Sequence, residues 1–327
     1  MKVKTAPGSD YLKLSYLACG AGFVILLVLP VLAPNLTAYG IGLLMYVTMA
    51  VGYNLQGGYL GDLSFGHAVF FGLGGYAAAL LVEHNLINWA PLNVFIGACF
   101  AAFFAAVIGL PFLRLKGFYF SIGTLGLSSL LLLVVKNVLS PITKGEAGLM
   151  IPPPQPYHIE IFYYSILGIA ALSGLVSFLI VRSRCGLAFT AIRDNPEAAA
   201  ALGINVTACR VTGFALSAFI VGTVGGFYAY YASYINPEGV FAGTISFEVL
   251  IMVFLGGAGT LLGPFMGAAA FYVFEEVGRT YIGPGFYLLP ALLLILVFLK
   301  MPNGIMGLID GRNKKAVEKV SEVNRAC

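Results

Sequence analysis

The 327-residue sequence predicts an all-α integral membrane protein of about ten transmembrane or broken helices arranged as an inverted repeat. Three observations carry that expectation. The chain is 59% hydrophobic and only 10% charged, with a mean hydropathy of +0.92. A soluble domain carries about 25% charged residues, and a surface this poor in charge cannot face water. Apolar runs of spanning length recur along the chain. A glycine-spaced phrase occurs twice, as NLQGGYLGDLSFGHAVFFGLGG from Asn54 to Gly75 and as NPEGVFAGTISFEVLIMVFLGG from Asn236 to Gly257.

Runs of about 17–25 apolar residues read as spanning helices. They lie near 15–33, 37–55, 65–82, 92–113, 117–135, 161–181 and 211–235, followed by a longer tract over 245–277 and a last run over 286–300. Lys2, Lys4 and Lys13 precede the first run as in a signal peptide. That run is too long for a signal h-region, and no small-residue cleavage site follows it, so a retained helix is expected. Residues 136–160 form a polar, proline-rich loop, and the tail 301–327 is charged. The expected segments are an N-terminal stretch over 1–13, a membrane domain over 14–300 and a C-terminal tail over 301–327.

Lys and Arg mark cytoplasmic loops. They gather in the N-terminal stretch, in the hydrophilic loop 182–210 (Arg182, Arg184, Arg193, Arg210) and in the tail (Arg312, Lys314, Lys315, Lys319, Arg325). Six spans separate the first two clusters, which places both inside, with Arg114 and Lys116. The tail joins them only if the tract 245–277 counts as two segments. GGAGTLLGP, from Gly256 to Pro264, supplies the break. Charge parity and helix breakers therefore agree on ten segments with both ends cytoplasmic.

Aligned without gaps, the two phrases agree at Asn54/Asn236, Gly57/Gly239, Gly61/Gly243, Ser64/Ser246, Phe65/Phe247, Leu73/Leu255, Gly74/Gly256 and Gly75/Gly257. Five crossings separate the copies, so their orientations oppose. Inverted repeats with short, glycine-broken helices point to a pathway near the bilayer midplane. Gly57 and Gly239 are expected at backbone bends or close helix contacts. Asp62 and its counterpart Thr244 are expected to cap short helices. The expected pathway residues are Asn54, Asp62, Ser64, His67, Ser121, Thr124, Ser246 and Glu248, a mostly apolar lining with a few polar groups. A carboxylate at Glu248 could meet a substrate ammonium, pair with a residue of a partner chain or reach the membrane interface. Glu275 and Glu276, near the outer boundary, are expected to pair locally with Arg279.

The five cysteines (Cys19, Cys99, Cys185, Cys209, Cys327) show no metal or disulfide spacing. His67, His84 and His158 are scattered, no nucleophilic triad is evident, and no GxxxxGK[ST] loop is present. No enzyme activity, cofactor, metal or nucleic-acid partner is expected. In the loop, DNPEAAAALG is a helix-start signal. Asp194 or Asn195 caps, Pro196 takes the first turn, Glu197 faces the positive helix end, and Gly203 stops the helix.

Several stretches resemble the permease subunits of branched-chain amino-acid ABC importers, in their LivM-like branch. They are GYLGDLSFGHAVFFGLGGYAAALL, LKGFYFSIGTLGLSSLL, SRCGLAFTAIRDNPEAAAALGINV and FLGGAGTLLGPFMGAAAF, and the resemblance runs in order over about residues 40–305. It implies a ten-helix inner-membrane permease of a bacterial importer. Its implied partners are a homologous second permease, two cytoplasmic ATPase subunits and an extracytoplasmic binding protein, with membrane lipid around them. Glu197, Ala198 and Ala199, followed by Gly203, match the front of the loop that docks on the ATPase, although the later Ile-x-Leu-Pro part is absent. The docking helix is expected to bury Ala199 in the ATPase, with Arg193, Asp194 and Glu197 on the rim. The implied cargo is a branched-chain or related apolar amino acid. Permeases of this type for urea or short amides, and a stand-alone secondary transporter, are the alternatives.

Overall fold

The computed structural model describes residues 26–87, 89–115, 117–152 and 158–282, with isolated positions between 290 and 307. The expected N-terminal stretch, most of the first and last runs and the tail lie outside the described residues. So do Lys2, Lys4, Lys13, Cys19, Lys116, Arg312, Lys314, Lys315, Lys319, Arg325 and Cys327.

Ten helices organise the described chain: α1 (Thr37–Tyr53), α2 (His67–Glu83), α3 (Ala90–Phe112), α4 (Phe118–Leu133), α5 (Ile159–Arg182), α6 (Arg184–Asp194), α7 (Pro196–Ala201), α8 (Val206–Ala232), α9 (Gly243–Gly256) and α10 (Gly263–Ile282). Residues 26–32 are also helical and close the expected first run. Among the described residues, six helices are long and apolar enough to cross a membrane, and α2 is a shorter apolar helix. The tract 245–277 is divided as expected, with the break at 257–262 between α9 and α10.

The centre is built from two similar sets of three. α8 packs on α2 and α3, which pack on each other; α1 packs on α9 and α10, which likewise pack on each other. α1 and α8 touch at the centre, and α5 lies against α1. Matched residues of the two phrases meet there: the rings of Phe65 and Phe247 lie 5.0 Å apart. The outer faces of α3, α4 and α5 expose Phe103, Phe118, Tyr119 and Leu172, as lipid- or partner-facing helices do.

Polar contacts gather at two opposite ends, which α2, 17 residues long, separates by about 25 Å. At one end Lys136 pairs with Glu146 at 2.5 Å and Glu238 at 2.8 Å, and Lys144 with Glu83 at 2.6 Å. Two short strands, Leu149–Met150 and Tyr234–Ile235, pair antiparallel beside them. The loops 136–152 and 233–241 thus share one end, and the loop 183–205 lies at the other.

Candidate functional site

Where the first phrase begins, α1 widens into a seven-residue π-helix, Asn54–Leu60. Such widened turns are frequent at functional sites. It ends on Gly61, at φ +77, a left-handed conformation that glycine adopts without steric cost. Asn54 reaches across to the second break. Its Nδ2 donates to Thr260 O at 2.9 Å, and its Oδ1 accepts from Gly259 N at 2.9 Å. Arg193, at the end of α6, donates from Nη1 to Gly58 O at 2.9 Å. A Cβ on Gly61 would lie 2.7 Å from Arg193 Cγ, and one on Gly259 would collide with Nη1. One guanidinium therefore fills the space between both helix breaks.

The linker 61–66 is held by the expected polar residues. Ser121 Oγ donates to Leu63 O at 2.6 Å, Phe65 N donates to Thr124 Oγ1 at 3.0 Å, and Gly66 N donates to Ser64 Oγ at 3.2 Å. Asp62 and Thr244 do not cap as expected. The linker carries Asp62 away from the helix start, so Gly66 precedes α2 without a side-chain cap. The free N–H of Ala68 instead donates to Ser246 Oγ of the second phrase at 2.9 Å. Thr244 lies inside α9, with Ala242 before it. Asp62 pairs with Arg210 at the start of α8, Oδ2 to Nε 3.2 Å.

Burial pushes the Asp62 carboxyl up to about 6, against the lowering influence of Arg210. The folded protein then binds this proton more tightly than the unfolded chain. Its stabilising contribution is complete below about pH 4 and is lost as pH rises through about 6. The melting temperature of the wild type is expected to rise between pH 7.5 and 5, and Asp62→Asn is expected to remove the part of that rise due to this group. An identical pH profile in the variant would refute the assignment.

The loop folds as two capped helices. Ser183 Oγ accepts from Cys185 N at 3.1 Å to start α6, and Asn195 Oδ1 accepts from Glu197 N and Ala198 N, both at 3.0 Å, to start α7. Gly203, at φ +84, ends the turn after α7. Two expectations for a partner-facing surface change. Ala199 is only 2% exposed and packs with Leu55, Tyr59, Leu60, Phe189, Ile192 and Ile220 of this chain. The head of Arg193 turns inward to Gly58. Of the residues expected on that surface, Asp194, Pro196, Glu197, Ala198 and Gly203 remain exposed, and Leu187 and Leu202 beside them are 69% and 82% exposed.

His67 is fully buried beside Tyr53, with Nε2 2.8 Å from Ser217 Oγ. Glu248 accepts from Tyr46 Oη at 3.3 Å and lines a cavity of about 350 Å³ with Glu275, Glu276 and Arg279; Glu275 and Arg279 pair one turn apart. Neither φ at Gly57 nor at Gly239 is positive, but a Cβ on Gly57 would collide with the Tyr53 ring, and one on Gly239 would lie 2.5 Å from Asn236 Oδ1. Among the other expected hinge glycines, Gly74 and Gly256 make backbone contacts that exclude a Cβ, Gly75 lies close to Gly225 O, Gly243 is in ordinary contact, and Gly257 has φ +120. The sequence does not single out Tyr46 or Thr260 and shows Arg210 only as a loop cation, because each acquires its role from a partner distant in the chain.

The family profile described as "Branched-chain amino acid transport system / permease component" matches residues 36–298. The high-affinity branched-chain amino acid transport system permease protein LivM of Salmonella typhimurium is 28% identical over 295 residues, 80% of this chain and 68% of that protein. LivH of Escherichia coli, of the same description, is 27% identical over 301 residues, covering 84% and 93%. A probable LivM of Methanocaldococcus jannaschii is 25% identical over 332 residues, covering 85% and 95%. No solved structure matches the chain.

Proposed function

The chain belongs to the family of branched-chain amino acid transport system permease components, and from that premise we propose that it lines the membrane pathway of an ATP-driven importer whose cargo is a branched-chain or related apolar amino acid. It is a permease and not itself an enzyme; ATP hydrolysis falls to separate subunits. Its likeness to both LivM and LivH suits a complex with a homologous second permease. Two ATPases on the side of α6 and α7, and a binding protein on the side of Glu238, complete the proposed assembly. Both termini would then be cytoplasmic.

The observation that carries this reading is Arg193. It belongs to the charged loop between spans, yet it is bonded into the break of one repeat and packed against the break of the other. A loop so placed can pass a partner's motion to both broken helices. The matched packing of α2–α3–α8 and α9–α10–α1, and the Phe65–Phe247 contact, support an inverted repeat around that point.

The test separates docking from cargo. Leu202→Glu and Leu187→Glu should each weaken capture of the ATPase subunits by about 10- to 100-fold, since burying a leucine contributes about 1.5–3 kcal/mol. Glu197→Ala should change it less than about fivefold, as an exposed charge is worth about 0–1 kcal/mol. Uptake of labelled leucine, isoleucine, valine and urea by the reconstituted complex identifies the cargo. Normal ATPase capture by both leucine variants would remove the docking surface from the proposal, and uptake of urea alone would remove the amino acids.

A further inference from the structure

The two three-helix sets differ in one respect. The α2–α3–α8 set closes on touching glycines: a Cβ on Gly74 would overlap Gly222 O, and one on Gly225 would overlap Phe71 O. The α9–α10–α1 set closes in the same way near its break, where Gly256 and Gly267 meet backbone of the facing helix. Farther along it opens into the cavity of about 350 Å³, which α8 also lines through Tyr228 and Tyr231. That volume lies in the range of small-molecule sites.

The cavity wall is acidic and aromatic. Among the described residues, three carboxylates (Glu248, Glu275, Glu276) line it with one guanidinium, Arg279, which is paired to Glu275 and has its side chain 67% exposed. Glu275 is only 6% exposed, and among the described residues its Oε2 has no hydrogen-bond partner. Tyr46 donates to Glu248 and packs against Tyr272, and both tyrosines line the cavity with the acids. A carboxylate buried in a membrane protein with an oxygen unsatisfied calls for a cation. Tyrosine faces add cation–π attraction and an apolar wall. The arrangement has no counterpart in the first phrase. Glu248 aligns with Gly66, where a Cβ would lie 2.7 Å from Thr124 O.

We propose that this cavity binds a primary ammonium group carried on a small apolar body, with Glu248 and Glu275 as its counter-ions, Tyr46 holding Glu248 in place, and the tyrosine rings receiving the apolar part. Resting on the importer reading, the ligand is the transported amino acid, entering at the mouth formed by Ala38 and Gly239. This loop end is where a delivering protein would dock.

The experiment uses the full chain with its partner subunits in nanodiscs of phosphatidylcholine and phosphatidylglycerol, which carry no primary ammonium. The probe is labelled isopentylamine, and the competitors are 4-methylpentanoate, potassium ion and phosphatidylethanolamine. Saturable binding is expected, unaffected by any competitor. Glu248→Gln and Glu275→Gln should each weaken it by at least about tenfold, because each removes one member of a buried charge pair. Ala38→Trp, which blocks the mouth without altering either acid, should abolish it. Unchanged binding in Gln variants that keep the wild-type melting temperature overturns the proposal. Displacement by potassium makes the site an inorganic cation site, and displacement by phosphatidylethanolamine makes it a lipid headgroup site; either overturns it too. If the Gln variants do not fold, retained binding in Ala38→Trp is the overturning result. Leucine uptake by the wild-type complex is measured in parallel. Loss of uptake with intact probe binding counts against the importer alone, and normal uptake without probe binding counts against this cavity alone.

Discussion

Gly225→Ala should prevent the protein from accumulating as a folded, monodisperse species, whereas Gly126→Ala should leave it unchanged. Both add one methyl group to a helix, and intrinsic propensity favours alanine by about 1 kcal/mol. The surroundings decide the outcome. A Cβ on Gly225 would overlap the carbonyl of Phe71, which is backbone and cannot rotate away. The neighbouring contacts leave no slack: a Cβ on Gly97 would lie 2.5 Å from Gly74 O, and one on Gly222 2.7 Å from Ala101 Cβ. Separating α2 from α8 therefore breaks the packing of three helices together. In lipid no hydrophobic force between helices replaces those contacts, because close approach through small residues is itself the attraction. Overpacking in a core costs about 1–3 kcal/mol even where side chains can adjust. On the outer face of α4, a Cβ on Gly126 would meet no atom of the described residues within 4 Å. Size-exclusion profiles of the two variants in detergent check the contrast, and a wild-type profile for Gly225→Ala would contradict the crossing.

The long apolar helices were legible from composition because each one is apolar on nearly all sides. The expected run 161–181 is Ile159–Arg182, and 92–113 is Ala90–Phe112. The break in the last tract was legible for the same kind of reason, since GGAGTLLGP is a strong local interruption. Failures begin where local rules meet distant partners. Asp62 satisfies every local rule for a cap, but Arg210 claims it and Ser246, 178 residues beyond Ala68, supplies the hydrogen bond at the helix start. The helix α6 is visible in the sequence only as part of a charged loop. Its sequence RCGLAFTAIRD has a glycine near its start and charged residues at both ends, and Phe189 and Ile192 acquire their buried face from the π-helix and α8. For α7 the cap and stop were correct, but a run of alanines does not say which alanine faces inward. Tyr46 had no signal at all, because a tyrosine within an apolar run reads as core until Glu248 appears beside it.

Arg193→Ala should reduce ATP-driven uptake by at least about tenfold while the ATPase subunits remain bound. The reasoning starts from what the guanidinium touches. It donates to Gly58 O in the first break and lies against Gly259 in the second, and Asn54 ties those breaks to each other through Gly259 and Thr260. The outward residues Leu187 and Leu202 do not contribute to this bond, so docking survives its loss. A hydrogen bond from a charged group is worth about 1.5–3 kcal/mol, and with a side chain 36% exposed this one belongs at the lower end. Removing it should therefore lower stability modestly and leave the fold intact. Coupling suffers more, because helix shifts of about 1–2 Å at an interface are transmitted only through contacts that do not slip. Lysine carries the charge without the planar guanidinium that bonds Gly58 O and fills the space beside Gly259, so Arg193→Lys should retain part of the activity. The deciding readout is the number of amino acids taken up per ATP hydrolysed. A purely structural role would lower uptake and hydrolysis together and keep their ratio. The coupling role predicts that hydrolysis continues while the ratio falls, and an unchanged ratio in Arg193→Ala would show that the two helix breaks receive their motion by another route.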